Sequence, residues 1–213
     1  MGKKLLRLVF AVLVLLPVYA KATVYEWTSG TYEIVSSNNY SMDWINLRNS
    51  AVVNMTGGNL GVLYAYDTSE FNFQGGHIGS TLQFYGTSTV NISSGTINGG
   101  FNMYGNSVIN ITGGILPGFD LVGSSTVANL WGGQISGIYS QGIVNIYGKN
   151  IVIESYNTDS KRISGFWKDG TAFSFIAWRA VPYNSQFVIH EIPEPATVSL
   201  LLMGIVAVRK IRG

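Results

Sequence analysis

Val90-Asn91-Ile92-Ser93-Ser94-Gly95-Thr96-Ile97 is answered nineteen residues on by Ile109-Asn110-Ile111-Thr112-Gly113-Gly114. The same apolar-Asn-apolar triplet stands at Val53-Asn54-Met55, Phe71-Asn72-Phe73, Ala128-Asn129-Leu130 and Val144-Asn145-Ile146, the six asparagines stepping by 18, 19, 19, 19 and 16 residues. Each triplet alternates with period two, so its apolar pair faces one way and its amide the other. Glycine pairs follow most of them, at Gly57-Gly58, Gly75-Gly76, Gly113-Gly114 and Gly132-Gly133. Such pairs supply the positive φ and tight corners that other residues resist. After each corner comes a third apolar position, read as Leu60, Ile78, Ile97, Ile115 and Ile135.

A second alternating unit precedes the asparagines: Ile45-Asn46-Leu47, Leu63-Tyr64-Ala65, Leu82-Gln83-Phe84, Phe101-Asn102-Met103, Phe119-Asp120-Leu121 and Ile138-Tyr139-Ser140. Three short strands and three turns in 18–19 residues make one coil of a solenoid. No segment of this size buries its apolar face alone, whereas stacked coils share one continuous core. The expected fold is all-β, a short parallel β-helix of about six coils and ~25–30 Å at ~4.8 Å per rung.

Stacking turns the outward residues into rows. Asn54, Asn72, Asn91, Asn110, Asn129 and Asn145 predict an amide ladder on the outside face. Tyr66, Tyr85 and Tyr104 share one turn position in three successive coils, flanked in register by Arg48 and Val122. Flat rings beside amides can stack on sugar rings and bond their hydroxyls. Tyr66, Tyr85, Tyr104, Asn91 and Asn110 are therefore candidate glycan-binding residues. The plainer reading is that stacked tyrosines stabilise the rod. Three sequons, at Asn54, Asn91 and Asn110, recur as by-products of the ladder.

Tyr25-Glu26-Trp27-Thr28-Ser29-Gly30 parallels Val90–Gly95 position for position and predicts a degenerate terminal coil with Glu26 on the asparagine row. Residues 149–191 leave the repeat. There Ile163–Lys168 and Thr171–Ile176 flank Asp169-Gly170, a hairpin signal. Trp167, Phe173, Phe175 and Trp178 add aromatic bulk to plug the rod end.

Residues 1–22 carry a basic start, an apolar run from Leu8 to Tyr19 and a small-x-small site, the pattern of a secretory signal peptide. Cleavage is expected after Ala22, with Ala20 the second candidate. At the other end Pro193-Glu194-Pro195 precedes the apolar run Ala196–Val208 and then Arg209, Lys210 and Arg212. The run predicts a short hydrophobic helix with its basic cluster held cytoplasmic by the positive-inside rule. These three elements together resemble the PEP-CTERM sorting signal over residues 192–213. The resemblance implies processing by signal peptidase and an exosortase of a Gram-negative bacterium. It also implies a transient transmembrane stage and release to the cell surface or exopolysaccharide (biofilm) matrix. The Trp167-Lys168-Asp169-Gly170-Thr171 stretch is similar to a module found before such tails. The resulting organisation is 1–22 signal peptide, 23–148 solenoid, 149–191 β cap and 192–213 sorting segment.

Composition narrows the chemistry. The 213-residue chain has no Cys and two His, His77 and His190, which leaves no thiolate metal site and little for a histidine one. No cofactor is implied. The formal charge of +2 resides in the two ends: residues 23–192 hold 6 Lys+Arg against 10 Asp+Glu, so the body is −4 and invites no nucleic acid. Between Asn49 and Gly148 only Asp67, Glu70 and Asp120 are charged. A polysaccharide lyase or hydrolase needs clustered carboxylates, and usually a basic residue. Their scatter favours a non-enzymatic protein, with a carbohydrate-active enzyme and a self-assembling fibre component as the alternatives. His77 reads as a lone imidazole.

Overall fold

The computed structural model describes residues 21–178 and 187–193. Among them every regular element is a strand, and the strands form a parallel β-solenoid of about six turns. The apolar run of the signal peptide, expected as a helix, and the sorting-segment helix lie outside the described residues. Among the described residues no helix is long and apolar enough to cross a membrane.

The asparagine triplets build one face. Thr31–Ile34, Val52–Met55, Glu70–Phe73, Thr89–Ile92, Val108–Ile111 and Val127–Leu130 stack in parallel register, followed by the start of Ile143–Asn157 and then Phe187–Glu191. The second unit builds another face, running from Val24–Trp27 through Leu82–Phe84, Phe101–Tyr104 and Phe119–Val122 to Gly137–Ser140. A short third face holds His77–Ile78, Thr96–Ile97, Ile115–Leu116 and Gln134–Ile135. Inward residues of all three faces form one core, with Val53, Phe71, Val90, Ile109, Ala128 and Val144 forming one of its fully buried rows.

The two glycines of a corner serve different ends. The second, at Gly58, Gly76, Gly114 and Gly133, takes a φ between 79° and 95°, where a side chain is strained. The first is needed for close approach: a Cβ on Gly75 or Gly132 would lie 2.6 or 2.2 Å from the Thr56 or Thr112 carbonyl oxygen of the coil below.

Two register expectations are corrected. Ile115 pairs with Thr96 and Gln134 on the outward row and is 48% exposed, while Leu116 fills the core position at 1%. The core residue lies six after each ladder asparagine, at Leu60, Ile78, Ile97, Leu116 and Ile135, so the count and not the first apolar residue decides. Likewise Tyr25-Glu26-Trp27 pairs with Ile45-Asn46-Leu47 on the second face, and Tyr32-Glu33-Ile34 lies under Val53-Asn54-Met55. The terminal coil is therefore a step out of the predicted register, and Glu33 rather than Glu26 heads the asparagine row. Tyr25, Trp27, Tyr32 and Tyr40 pack against the core at this end, Trp27 stacked on Tyr32 at 4.3 Å.

The C-terminal segment is both cap and coil. The strand Ile143–Asn157 runs on past the ladder face and pairs antiparallel with Ser160–Phe166, which pairs in turn with Ala172–Trp178 across the Asp169-Gly170 turn. Ile176-Ala177-Trp178 then rejoins the second face in parallel with Gly137-Ile138-Tyr139. Trp167 is buried, stacks on Phe173 at 3.9 Å, and donates its indole N–H to the Gly133 carbonyl oxygen at 3.0 Å. The hairpin is thereby clamped to a glycine corner of the rod.

Candidate functional site

The asparagine ladder is continuous and runs in one direction. Each Nδ2 donates to the Oδ1 one rung below: Asn145 to Asn129 at 2.8 Å, Asn129 to Asn110 at 2.9 Å, and Asn110 to Asn91 at 2.8 Å. Asn91 donates to Asn72 at 2.8 Å and Asn72 to Asn54 at 3.0 Å. At the bottom Asn54 donates to the Glu33 carboxylate at 2.8 Å. At the top His190 Nε2 meets Asn145 Oδ1 at 3.1 Å, since Val188 occupies the ladder row of the last rung. Asn91 also donates to Glu70 at 3.0 Å, so both of its amide hydrogens are engaged, whereas Asn110 keeps one for an outside partner.

The tyrosine row is equally regular. Tyr66 and Tyr85 stack at 5.1 Å and 7°, Tyr85 and Tyr104 at 4.8 Å and 6°. Below them the Arg48 guanidinium lies 4.6 Å over Tyr66 and bonds Glu26 at 2.9 Å. Asn46 and Arg48, both bonded to Glu26, hold its carboxyl below the ordinary value. Both faces of Tyr85 are therefore covered by neighbouring rings. Burial, reinforced by the phenols of Tyr104, Tyr66 and Tyr64, raises its pKa, and its hydroxyl donates to Gln83 Oε1. Tyr66 and Tyr85 therefore offer a ligand ring edges and hydroxyls rather than ring faces.

Of the three carboxylates of the rod body, Asp67 and Glu70 belong to one turn and the strand it leads into, while Asp120 stands on another face. Asp67 takes a left-handed turn position (φ 59°), matched by Gly86 and Gly105 in the next coils, and accepts the Asn49 N–H at 2.9 Å. Glu70 supports the ladder from the neighbouring row. Asp120 is on the outward row of the second face between Asn102 and Tyr139, where partial desolvation raises its pKa. His77 is not without a partner: its Nε2 meets Asn98 Nδ2 at 3.0 Å. Among the described residues no cluster of three or more His, Asp or Glu could hold a metal ion.

Three features escape a reading by triplets. Glu33 and His190 terminate the ladder. Trp131, Tyr147 and His190 form a second ring stack beside it, at 4.7 and 4.3 Å. Ser69, Ser88, Ser107 and Thr126 form a fully buried column inside the tyrosine turn, Ser69 bonding back to the Tyr66 carbonyl oxygen at 2.7 Å. The spacing Tyr-x-x-Ser at Tyr66, Tyr85 and Tyr104 announces that column.

Ala22 and Pro193 are exposed at the two ends of the described chain. Ala20, Glu194, Pro195, Arg209, Lys210 and Arg212 lie outside the described residues. Compared with known proteins, the chain matches no family, no curated protein and no solved structure.

Proposed function

We propose that this chain is an exported, non-enzymatic protein of the cell surface or exopolysaccharide matrix of a Gram-negative bacterium, sorted by its PEP-CTERM-like tail. The observation that carries the reading is the nearly uncharged rod with two unbroken outward ladders, one of amides and one of phenols. Such a surface suits a neutral polyhydroxylated polymer, bonded through the remaining Asn110 N–H and the tyrosine edges. Asp67 and Glu70 are each committed to a structural bond, and Asp120 stands on a different face. This dispersal supports a holding role over acid/base chemistry.

Sorting rests on the order of Pro193-Glu194-Pro195, apolar run and basic cluster. Replacing the three motif residues by alanine should leave the chain in the membrane fraction of a host with an exosortase. Unchanged release would overturn the sorting reading. For glycan, the full chain should be retained on the host's own exopolysaccharide. Tyr104→Ala combined with Asn110→Ala should weaken that retention with the circular dichroism spectrum kept.

One observation favours assembly instead: among the described residues Val24–Trp27 and Thr31–Ile34 each pair on one side only. Free edges of this kind template further strands. Light scattering of the processed protein separates the two readings, a growing species favouring assembly and a monodisperse one the matrix-binding rod.

A further inference from the structure

Two neighbouring hollows among the described residues lie on neither ladder. One of about 450 Å³ opens where the Asp169-Gly170 turn overhangs the glycine corners, lined by Ser94, Thr96, Thr112, Gln134, Asp169 and Thr171 among others. A second of about 350 Å³ continues from it between Gln134–Ile135 and the start of Ala172–Trp178. Ile115, Gly133 and Gln134 line both, so the two form one cleft. Each hollow falls within the size range of small-molecule sites.

We propose that this cleft binds a neutral oligosaccharide, its C–H face on Ile115 and its hydroxyls bonded to Gln134, Asp169 and the surrounding serine and threonine hydroxyls. The proposal rests on the reading that the protein holds glycan, and it names a site apart from both ladders.

Four observations carry it. First, Ile115 is a large apolar side chain, 48% exposed, set among the polar residues that line both hollows. Second, the lining residues carry one carboxylate and no cation, which suits a neutral polyol and repels an anionic one. Third, Asp169 uses Oδ1 to accept the Thr171 N–H at 2.9 Å, which positions the carboxylate, and hydrogen bonds from Thr171 hold its pKa below the ordinary value. Fourth, the overhanging wall is fixed by the Trp167 indole bond to Gly133, so the cleft is built before any ligand arrives.

The test uses the purified full chain titrated calorimetrically with cellohexaose, and with hexagalacturonate as the anionic counterpart. Cellohexaose should bind, and hexagalacturonate at least tenfold more weakly. Gln134→Ala and Asp169→Asn, the latter keeping the Oδ1 acceptor of the turn, should each weaken cellohexaose by about fivefold to tenfold, the worth of one hydrogen bond. Tyr104→Ala should weaken cellohexaose less than either cleft variant does. No binding of cellohexaose, equal binding of the two probes, or unchanged affinity in both cleft variants overturns the proposal. Loss on Tyr104→Ala alone would move the site to the tyrosine row and leave the glycan reading standing, while loss of retention on exopolysaccharide by every variant and the parent would remove that reading as well.

Discussion

His190 Nε2 lies 3.1 Å from Oδ1 of Asn145, an oxygen that can only accept, so the imidazole caps the ladder as its donor in the tautomer that carries a proton on that nitrogen. From there every amide donates toward the N-terminal end, and the last one donates to the carboxylate of Glu33. A donor group thus stands at the accepting end of the stack and an anion at its donating end. Side-chain dipoles aligned in this way reinforce one another, and the two end groups match the polarity in sign.

Breaking the ladder in its middle should cost more than removing its anionic end. Asn110→Ala leaves Asn91 Oδ1 without its donor and Asn129 Nδ2 without its acceptor, both partly buried. A loss of about 1–3 kcal/mol is expected in chemical denaturation. Glu33 is exposed, and Glu33→Ala should cost well under that. Equal losses would show that the ladder contributes no more than its exposed end.

The register of the third face is tested by two adjacent residues. Leu116→Ala removes a core side chain and should destabilise by about 2–5 kcal/mol. Ile115→Ser removes an exposed one and should stay within about 0.5 kcal/mol. The reverse ranking would put Ile115 in the core.

Gly99 and Gly100 should respond oppositely to alanine. A Cβ on Gly99 would lie 1.2 Å from the Ser80 carbonyl oxygen, so the backbone must move, at about 1–3 kcal/mol or more. At Gly100 nothing lies within 4 Å and φ is ordinary. Gly100→Ala should be neutral or add about 0.4–1 kcal/mol through the unfolded chain. Thermal midpoints of the two variants decide it.

Asp120 should make stability fall as pH rises from acid. Its folded pKa lies above the ordinary 3.8, so in the window just above that value the native state holds a proton that the unfolded chain has released. Stability is then lost with rising pH. Asp120→Asn should therefore be more stable than the parent at pH 7 and indistinguishable from it below about pH 3.5. A difference that persists in acid would assign the effect to packing.

Much of the rod was legible because its periods are written in unlike residues. The six asparagines, the second-face triplets from Ile45 to Ser140 and the tyrosine row all stand where their spacing places them. The failures came where one signal was ambiguous by a residue or a face. Ile115 and Leu116 are both apolar, and only the six-residue count from Asn110 separates them. Tyr25-Glu26-Trp27 and Tyr32-Glu33-Ile34 have the same alternation, so pattern alone could not say which strand starts which face. The cleft was not readable at all, since it joins Gln134 to Asp169 through the Trp167 clamp, a contact set by tertiary packing. The covered tyrosine faces also follow from three-dimensional stacking rather than from spacing.

Asn129 and Asn145 are sixteen residues apart and Asn110 and Asn129 nineteen, yet their amide bonds measure 2.8 and 2.9 Å. The chain absorbs differences of length at its corners and keeps the rung constant. Since each amide bonds only to the rungs directly above and below it, a whole coil can be duplicated or deleted without leaving a partnerless group in the middle. The gene for such a protein can lengthen or shorten its product in steps of one coil, and the reach of the molecule becomes a heritable dimension set by copy number.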